Sequence, residues 1–226
     1  MVAVEPPGRG TRINEAPIND IDTFVECLLP EMIEWLDRPS AFFGHCLGGL
    51  TMFATLCALP KGSMHFIKHA FACAVRPPHL LKRRGEFEDN LVYDMMLHNE
   101  FDIRVPPYAQ ADKIFVDIVR HFDTPEADKM LAIPALRAAL LPTIRAEFGM
   151  AYNYKYEAVQ PFTFPISSFV GDIDPWVSEK DSAGWGKLTC GRFTNHVRKG
   201  SHFLMAENRE YILETINNEF VNLATQ

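Results

Sequence analysis

The sequence predicts an α/β protein, a mostly parallel sheet flanked by helices, with an all-helical insertion between two strands. Three observations carry that expectation. The apolar run Ala41-Phe42-Phe43 ends in Gly44, and a tight turn leads into an unbroken apolar segment from Leu50 to Leu59. Strand-like and helix-like stretches alternate in the first and last thirds of the chain, which suits parallel strands covered on both faces. Between Pro77 and Pro161 the periodicity is helical, with no strand pattern.

Taken in order, Val2-Ala3-Val4-Glu5 reads as the end of a strand, turned by Pro6-Pro7-Gly8-Arg9-Gly10. Residues 21–36 carry Ile21, Phe24, Val25, Leu28, Leu29, Met32, Ile33, Trp35 and Leu36 at helical spacing, with Asp20 as N-cap and Pro39 beyond the end. The strand at 41–43 follows, then a helix to about Leu59 closed by Pro60 and Gly62. Residues 66–75 read as the next strand. Helical pieces follow at 87–97, 110–122, 126–131 and 135–152, punctuated by Pro106-Pro107, Pro125, Pro134 and Pro142. From pattern alone an insertion of this kind, about 79–160, reads equally as an ordinary helical layer or as a lid over the cleft of a sheet enzyme. Sheet character returns at 162–170. Residues 178–188 read as a helix, 192–198 as a last strand and 207–223 as an amphipathic terminal helix. The whole chain, 1–226, is expected to form a single domain carrying that insertion.

Composition narrows the function classes. Of 226 residues, 47% are hydrophobic, as in ordinary globular proteins. The net charge of -7 argues against non-specific nucleic-acid binding. No apolar run is long enough to span a membrane and no signal-peptide pattern opens the chain, so a cytoplasmic location is expected. The five cysteines, Cys27, Cys46, Cys57, Cys73 and Cys190, are odd in number and lack metal-ligand spacing. Four are expected to pack as small apolar residues in a reducing compartment. Cys46 alone occupies a setting that lowers a thiol pKa, a helix N-terminus.

That setting is Gly44-His45-Cys46-Leu47-Gly48-Gly49, a G-x-C-x-G version of the nucleophile elbow. The turn strains the nucleophile's backbone, and small neighbours let strand and helix approach. It also offers the N–H of Leu47 to a developing oxyanion. His45 is expected to point away from the cleft. Gly171-Asp172-Ile173-Asp174 follows a late strand and Gly200-Ser201-His202 follows the last. Nucleophile, acid and histidine in this order are the signature of the α/β-hydrolase fold. The thiol needs a base, which His202 supplies through one ring nitrogen. The other nitrogen needs a carboxylate to fix the tautomer. Asp174 or Asp172 serves. Asp174 is preferred, because Asp172 is placed to bond the backbone two residues on and cap its own turn.

With those residues in view, the chain resembles the type II thioesterases of nonribosomal peptide and polyketide biosynthesis, stand-alone α/β-hydrolases related to the medium-chain fatty-acid thioesterase. The matching stretches are Pro7-Gly8-Arg9-Gly10, Gly44-His45-Cys46-Leu47-Gly48-Gly49, Pro77-Pro78-His79, Leu136-Arg137, Arg145-Ala146-Glu147-Phe148, Gly171-Asp172-Ile173-Asp174, Trp185 and Gly200-Ser201-His202-Phe203-Leu204. The resemblance implies hydrolysis of small acyl thioesters held on the phosphopantetheine arm of an acyl or peptidyl carrier protein, with no cofactor beyond that arm. It assigns the triad to Cys46, Asp174 and His202 and makes the helical region a lid.

Two departures stand out. The family normally has serine where this chain has Cys46, so attack on a thioester becomes a nearly balanced thiol–thioester exchange. The family also begins with a strand and a glycine turn that supplies a second oxyanion N–H. Met1 falls just ahead of the Pro-Gly-Arg segment, so that strand and donor are expected to be missing, at a cost of ~10²–10³ in rate. Rival readings are a dienelactone-hydrolase-like lactone hydrolase, a ring-forming or acyl-transfer releasing enzyme, and a weakly active carrier-binding module. Lys82-Arg83-Arg84 is read as a solvated charge run before a carrier contact. Tyr93, Met95, Met96, Phe101, Phe115, Phe148, Met150 and Tyr152 are read mainly as core packing before an acyl tunnel. No role follows from the sequence for Arg9.

Overall fold

The structure, a computed structural model, describes residues 1–81, 109, 111–121 and 125–224. The chain divides into two units, Met1–Phe24 with Lys82–Lys155, and Val25–Leu81 with Tyr156–Gln226. Helix α1 (Ile21–Trp35) runs across the boundary. Its N-cap is the predicted one, for Asp20 Oδ1 accepts the Thr23 N–H at 2.9 Å.

The second unit holds the sheet. Strands β1 (Ser40–His45), β2 (Ile67–Cys73), β3 (Ile166–Gly171) and β4 (Phe193–Arg198) lie in that order and every pair is parallel. Parallel neighbours need crossovers long enough for a helix. Helix α2 (Leu47–Ala58) provides the first, and α6 (Glu179–Ala183) with a 3-10 helix (Gly184–Leu188) belongs to the last. The chain ends in α7 (Leu204–Glu207) and α8 (Arg209–Ala224).

Alternation along β2 builds a core on each sheet face. Ala70 and Ala72 pack with Phe53 and Leu56 of α2 and with Trp185. Phe71 and Cys73 pack with Phe169, Leu204 and Ile212. On that second face β2 also carries His69, 2% exposed, with Nε2 at 2.9 Å from Ser167 Oγ and Nδ1 at 3.6 Å from Glu219 of α8.

The first unit contains α3 (Asp112–His121), α4 (Pro125–Ala132) and α5 (Pro134–Asn153). They match the predicted pieces at 110–122, 126–131 and 135–152, and no strand appears among the described residues of the insertion. Phe115, Val116, Leu131 and Leu141 form this unit's own core, with Phe148 edge-on to Phe115 at 5.7 Å. Residues 82–108, which hold the predicted helix 87–97, Lys82-Arg83-Arg84, Tyr93, Met95, Met96 and Phe101, lie outside the described residues.

Several expectations need correction. Residues 2–5 form no strand, and the segment groups with the helical unit. The predicted strand 162–170 begins only at Ile166, because Phe162 makes a single bridge to Thr189. The helix predicted over 178–188 stops at Ala183, where Gly184 starts the 3-10 segment. Of the four cysteines expected to be packed, only Cys73 is buried, whereas Cys27, Cys57 and Cys190 are exposed. A thiol's apolar character does not bury it when its position on a helix or loop faces solvent.

Candidate active site

The three candidate residues emerge at the carboxyl ends of β1, β3 and β4, where open parallel sheets place their chemistry. Cys46 follows β1 directly, with φ 53° and ψ -125°. A non-glycine residue held there costs about 1–3 kcal/mol and persists only when its surroundings over-determine it. The Cys46 N–H donates to Cys73 O at 2.9 Å, and Cys46 O accepts the Gly49 N–H at 2.9 Å. A Cβ at Gly44 would come within 2.3 Å of Gly48 O, so only glycine lets strand and helix close the elbow. Leu47 is the first residue of α2, whose opening N–H groups have no intrahelical acceptor.

Asp174 lies three residues past β3, its side chain fully buried. Oδ1 accepts the N–H groups of Trp176 at 2.8 Å and Val177 at 3.1 Å. The carboxylate also accepts from His202 Nδ1, at 3.0 Å on Oδ2 and 3.2 Å on Oδ1. With Nδ1 committed, Nε2 is the nitrogen left for Cys46, whose side chain is near enough to act on the His202 pKa. Burial alone would lower the His202 pKa. The hydrogen bonds and negative charges of Asp174 and Cys46 outweigh it and push the value up to about 9. The structure places His202 against Asp174 with Cys46 close to the same ring.

Asp172 does something other than the sequence suggested. Its Oδ1 accepts the Gly200 N–H at 2.9 Å, and Asp174 is the residue that bonds the backbone two positions on. The loops after β3 and β4 are joined further by Asp172 N–H to Arg198 O at 2.8 Å and Ile173 N–H to Gly200 O at 3.2 Å. Gly171 makes this approach possible, since a Cβ there would lie 2.1 Å from Gly200 O. Ser201 is held by Glu207, which accepts its N–H at 2.7 Å and its hydroxyl at 2.6 Å.

Two side-chain contacts escaped sequence reasoning. His45 was expected to turn away from the cleft, yet its Nε2 lies 2.9 Å from His202 O, with the rings 5.5 Å apart. Burial keeps its pKa low, so the neutral ring donates Nε2–H to that carbonyl and braces the His202 backbone. Arg9 forks onto Glu147 of α5 through Nε at 2.9 Å and Nη2 at 2.6 Å and 2.7 Å. Both residues lie in stretches that carry the family resemblance, but nothing local in either names the other. Among the described residues, no group of three or more His, Cys, Asp or Glu side chains could hold a metal ion.

A parallel sheet with a strained cysteine elbow after β1, an acid after β3 and a histidine after β4 defines an α/β-hydrolase. More particularly, the chain belongs to the thioesterase family, for the Thioesterase domain model matches residues 1–220. It is 24% identical over 215 residues to the gramicidin S biosynthesis protein GrsT of Aneurinibacillus migulanus, covering 95% of this chain and 75% of that one. To the medium-chain S-acyl fatty acid synthase thioesterase of Rattus norvegicus it is 27% identical over 227 residues, covering 97% and 73%. Among solved structures, the type II thioesterase BorB of the borrelidin biosynthetic cluster superposes with a TM-score of 0.76 at 26% identity, covering 96% of this chain and 80% of that one.

Proposed function

We propose that this chain hydrolyses acyl or aminoacyl thioesters on the phosphopantetheine arms of acyl or peptidyl carrier proteins in nonribosomal peptide or polyketide assembly. The contact that carries the proposal is His202 Nδ1 on Asp174, with Cys46 near enough to raise the pKa of the same ring. His202 takes the thiol proton and Cys46 attacks the thioester carbonyl. The Leu47 N–H stabilises the oxyanion. The pantetheine thiol leaves with the proton from His202, and the acyl group rests on sulfur. Water, deprotonated by His202, then attacks the S-acyl Cys46 and releases the carboxylic acid. Asp174 keeps the imidazole in the tautomer that both steps need. The steps use no cofactor beyond the substrate's own arm. The work falls in the cytoplasm, among the synthases that load such arms.

The pathway assignment leans on a gramicidin S biosynthesis protein and a borrelidin-cluster type II thioesterase as relatives. The test is intact-protein mass spectrometry after incubation with an acyl carrier thioester, alongside measurement of acid release. An adduct of acyl mass on Cys46, discharged by hydroxylamine, is expected. Steady release of acid by Cys46→Ala at the wild-type rate would end the proposal.

A further inference from the structure

We propose that the Cys46 site also transfers acyl groups from one pantetheine-type alkyl thiol to another, and so redistributes acyl chains between arms as well as discarding them. The inference rests on the S-acyl intermediate proposed above and extends it.

The argument starts from the tetrahedral intermediate. An oxygen nucleophile would leave it far less readily than the substrate's thiolate, so acylation would run one way. With Cys46 the intermediate carries two alkyl sulfurs. Cys46 and the pantetheine arm both end in a primary alkyl thiol. Departure depends on the pKa of the leaving thiol, so the two sulfurs leave at comparable rates. The acyl enzyme therefore remains a thioester, with no energy lost in reaching it. Any thiol that can occupy the leaving group's position can run acylation backwards.

The site is built to manage the proton in both directions. His202 is held through Nδ1 by a carboxylate with no exposed side-chain surface, and Cys46 is near enough to act on the same ring. In the first half, Cys46 thiolate attacks, the C–S bond to the donor breaks, and the donor thiolate takes its proton from the imidazolium. In the second half, the neutral imidazole removes the proton from the acceptor thiol. The acceptor sulfur attacks, the bond to Cys46 breaks, and thiolate and imidazolium are restored. One thioester is consumed and one formed, with no oxidant or reductant. Cys46 and Asp174 together raise the ring's basicity against the effect of burial. Water and thiol then compete for the same S-acyl group, and a thiolate is the intrinsically stronger nucleophile.

The experiment incubates the full chain with an acyl-N-acetylcysteamine thioester and coenzyme A as acceptor, and follows acyl-coenzyme A and free acid by liquid chromatography and mass spectrometry. Cys46→Ala sets the uncatalysed exchange rate, and His202→Gln is a second control should that variant fail to fold. Acyl-coenzyme A is expected at least tenfold above both controls, with its ratio to free acid rising in proportion to coenzyme A. Release of acid alone, at a rate and yield indifferent to coenzyme A, would overturn the transfer while leaving the thioesterase reading in place. Neither product and no adduct on Cys46 would overturn both.

Discussion

Replacing Asp174 by Asn tests the site where its geometry is tightest. Oδ1 receives two backbone N–H groups, from Trp176 and Val177, and these hold the oxygen end of any amide in that position. The amide nitrogen is then forced to where Oδ2 now accepts from His202 Nδ1 at 3.0 Å. Donor meets donor, so the ring adopts the other tautomer and turns an N–H toward Cys46. It can no longer take the thiol proton. The same exchange removes Asp174's hydrogen bond and charge, which help hold His202 near 9, so its pKa falls toward 6.5. In a serine triad this change costs about 10⁴ in kcat. A thiol ionises more readily, so a loss of roughly 10²–10⁴ is expected here, with KM little changed. The assay is kcat/KM for an acyl-N-acetylcysteamine thioester across neutral and alkaline pH, with circular dichroism to establish that the variant is folded. Wild type should hold its activity up to about pH 9, the point at which the imidazolium loses its proton, and the variant's alkaline limb should move toward neutrality. A folded variant with activity within threefold of wild type and an unmoved limb would refute the reasoning.

Two further outcomes follow from buried groups. His69, with its pKa pushed down to about 4 by burial and by the charges of Arg192 and His196, is neutral when folded, so the unfolded chain binds the extra proton. Stability should therefore fall as pH drops from 6.5 toward 4, by up to about 3 kcal/mol from this residue. His202, raised to about 9, acts in the opposite sense and withdraws a similar amount as pH rises from 6.5 through 9. Urea midpoints against pH should peak near 6.5, and His69→Gln should flatten the acid side alone. Gly171→Ala should destabilise the fold by about 2 kcal/mol or more, because its Cβ would lie 2.1 Å from Gly200 O. It should also cut turnover by displacing the loop that carries His202.

The elements legible in the sequence are those whose determinants are local. Helix α1 announces itself by spacing and by Asp20, the elbow by its glycines, and α3 to α5 by proline punctuation and periodicity. What was illegible depends on partners remote in sequence. Residues 2–5 have strand composition, yet no strand forms, because β character needs a neighbour to pair with. Phe162, Phe164 and Ile166 look alike as residues, but only Ile166 reaches the β4 ladder. Arg9 gains its role from a glutamate 138 residues away. The exposed cysteines show the same limit, since side-chain hydrophobicity sets a preference while element orientation decides burial.

In the acid loop the contact with His202 falls to Asp174, but not for the reason the sequence suggests. The sequence favours Asp174 on the ground that Asp172 is placed to close its own turn. The turn is closed by Asp174 itself, whose carboxylate accepts two backbone N–H groups as well as the His202 Nδ1–H. Asp172 is released to cross to Gly200, where it joins the acid loop to the histidine loop. Acid and histidine are thus pre-assembled on the β3–β4 side through contacts that do not involve the nucleophile. The elbow is positioned separately, through the register of β1 on β2 and the Cys46 N–H bond to Cys73 O. His45 spans the two parts, for it precedes Cys46 in the chain and bonds the His202 carbonyl. Alignment of sulfur with imidazole therefore depends on that bond and on β2, which pairs with both β1 and β3, more than on the triad contacts themselves.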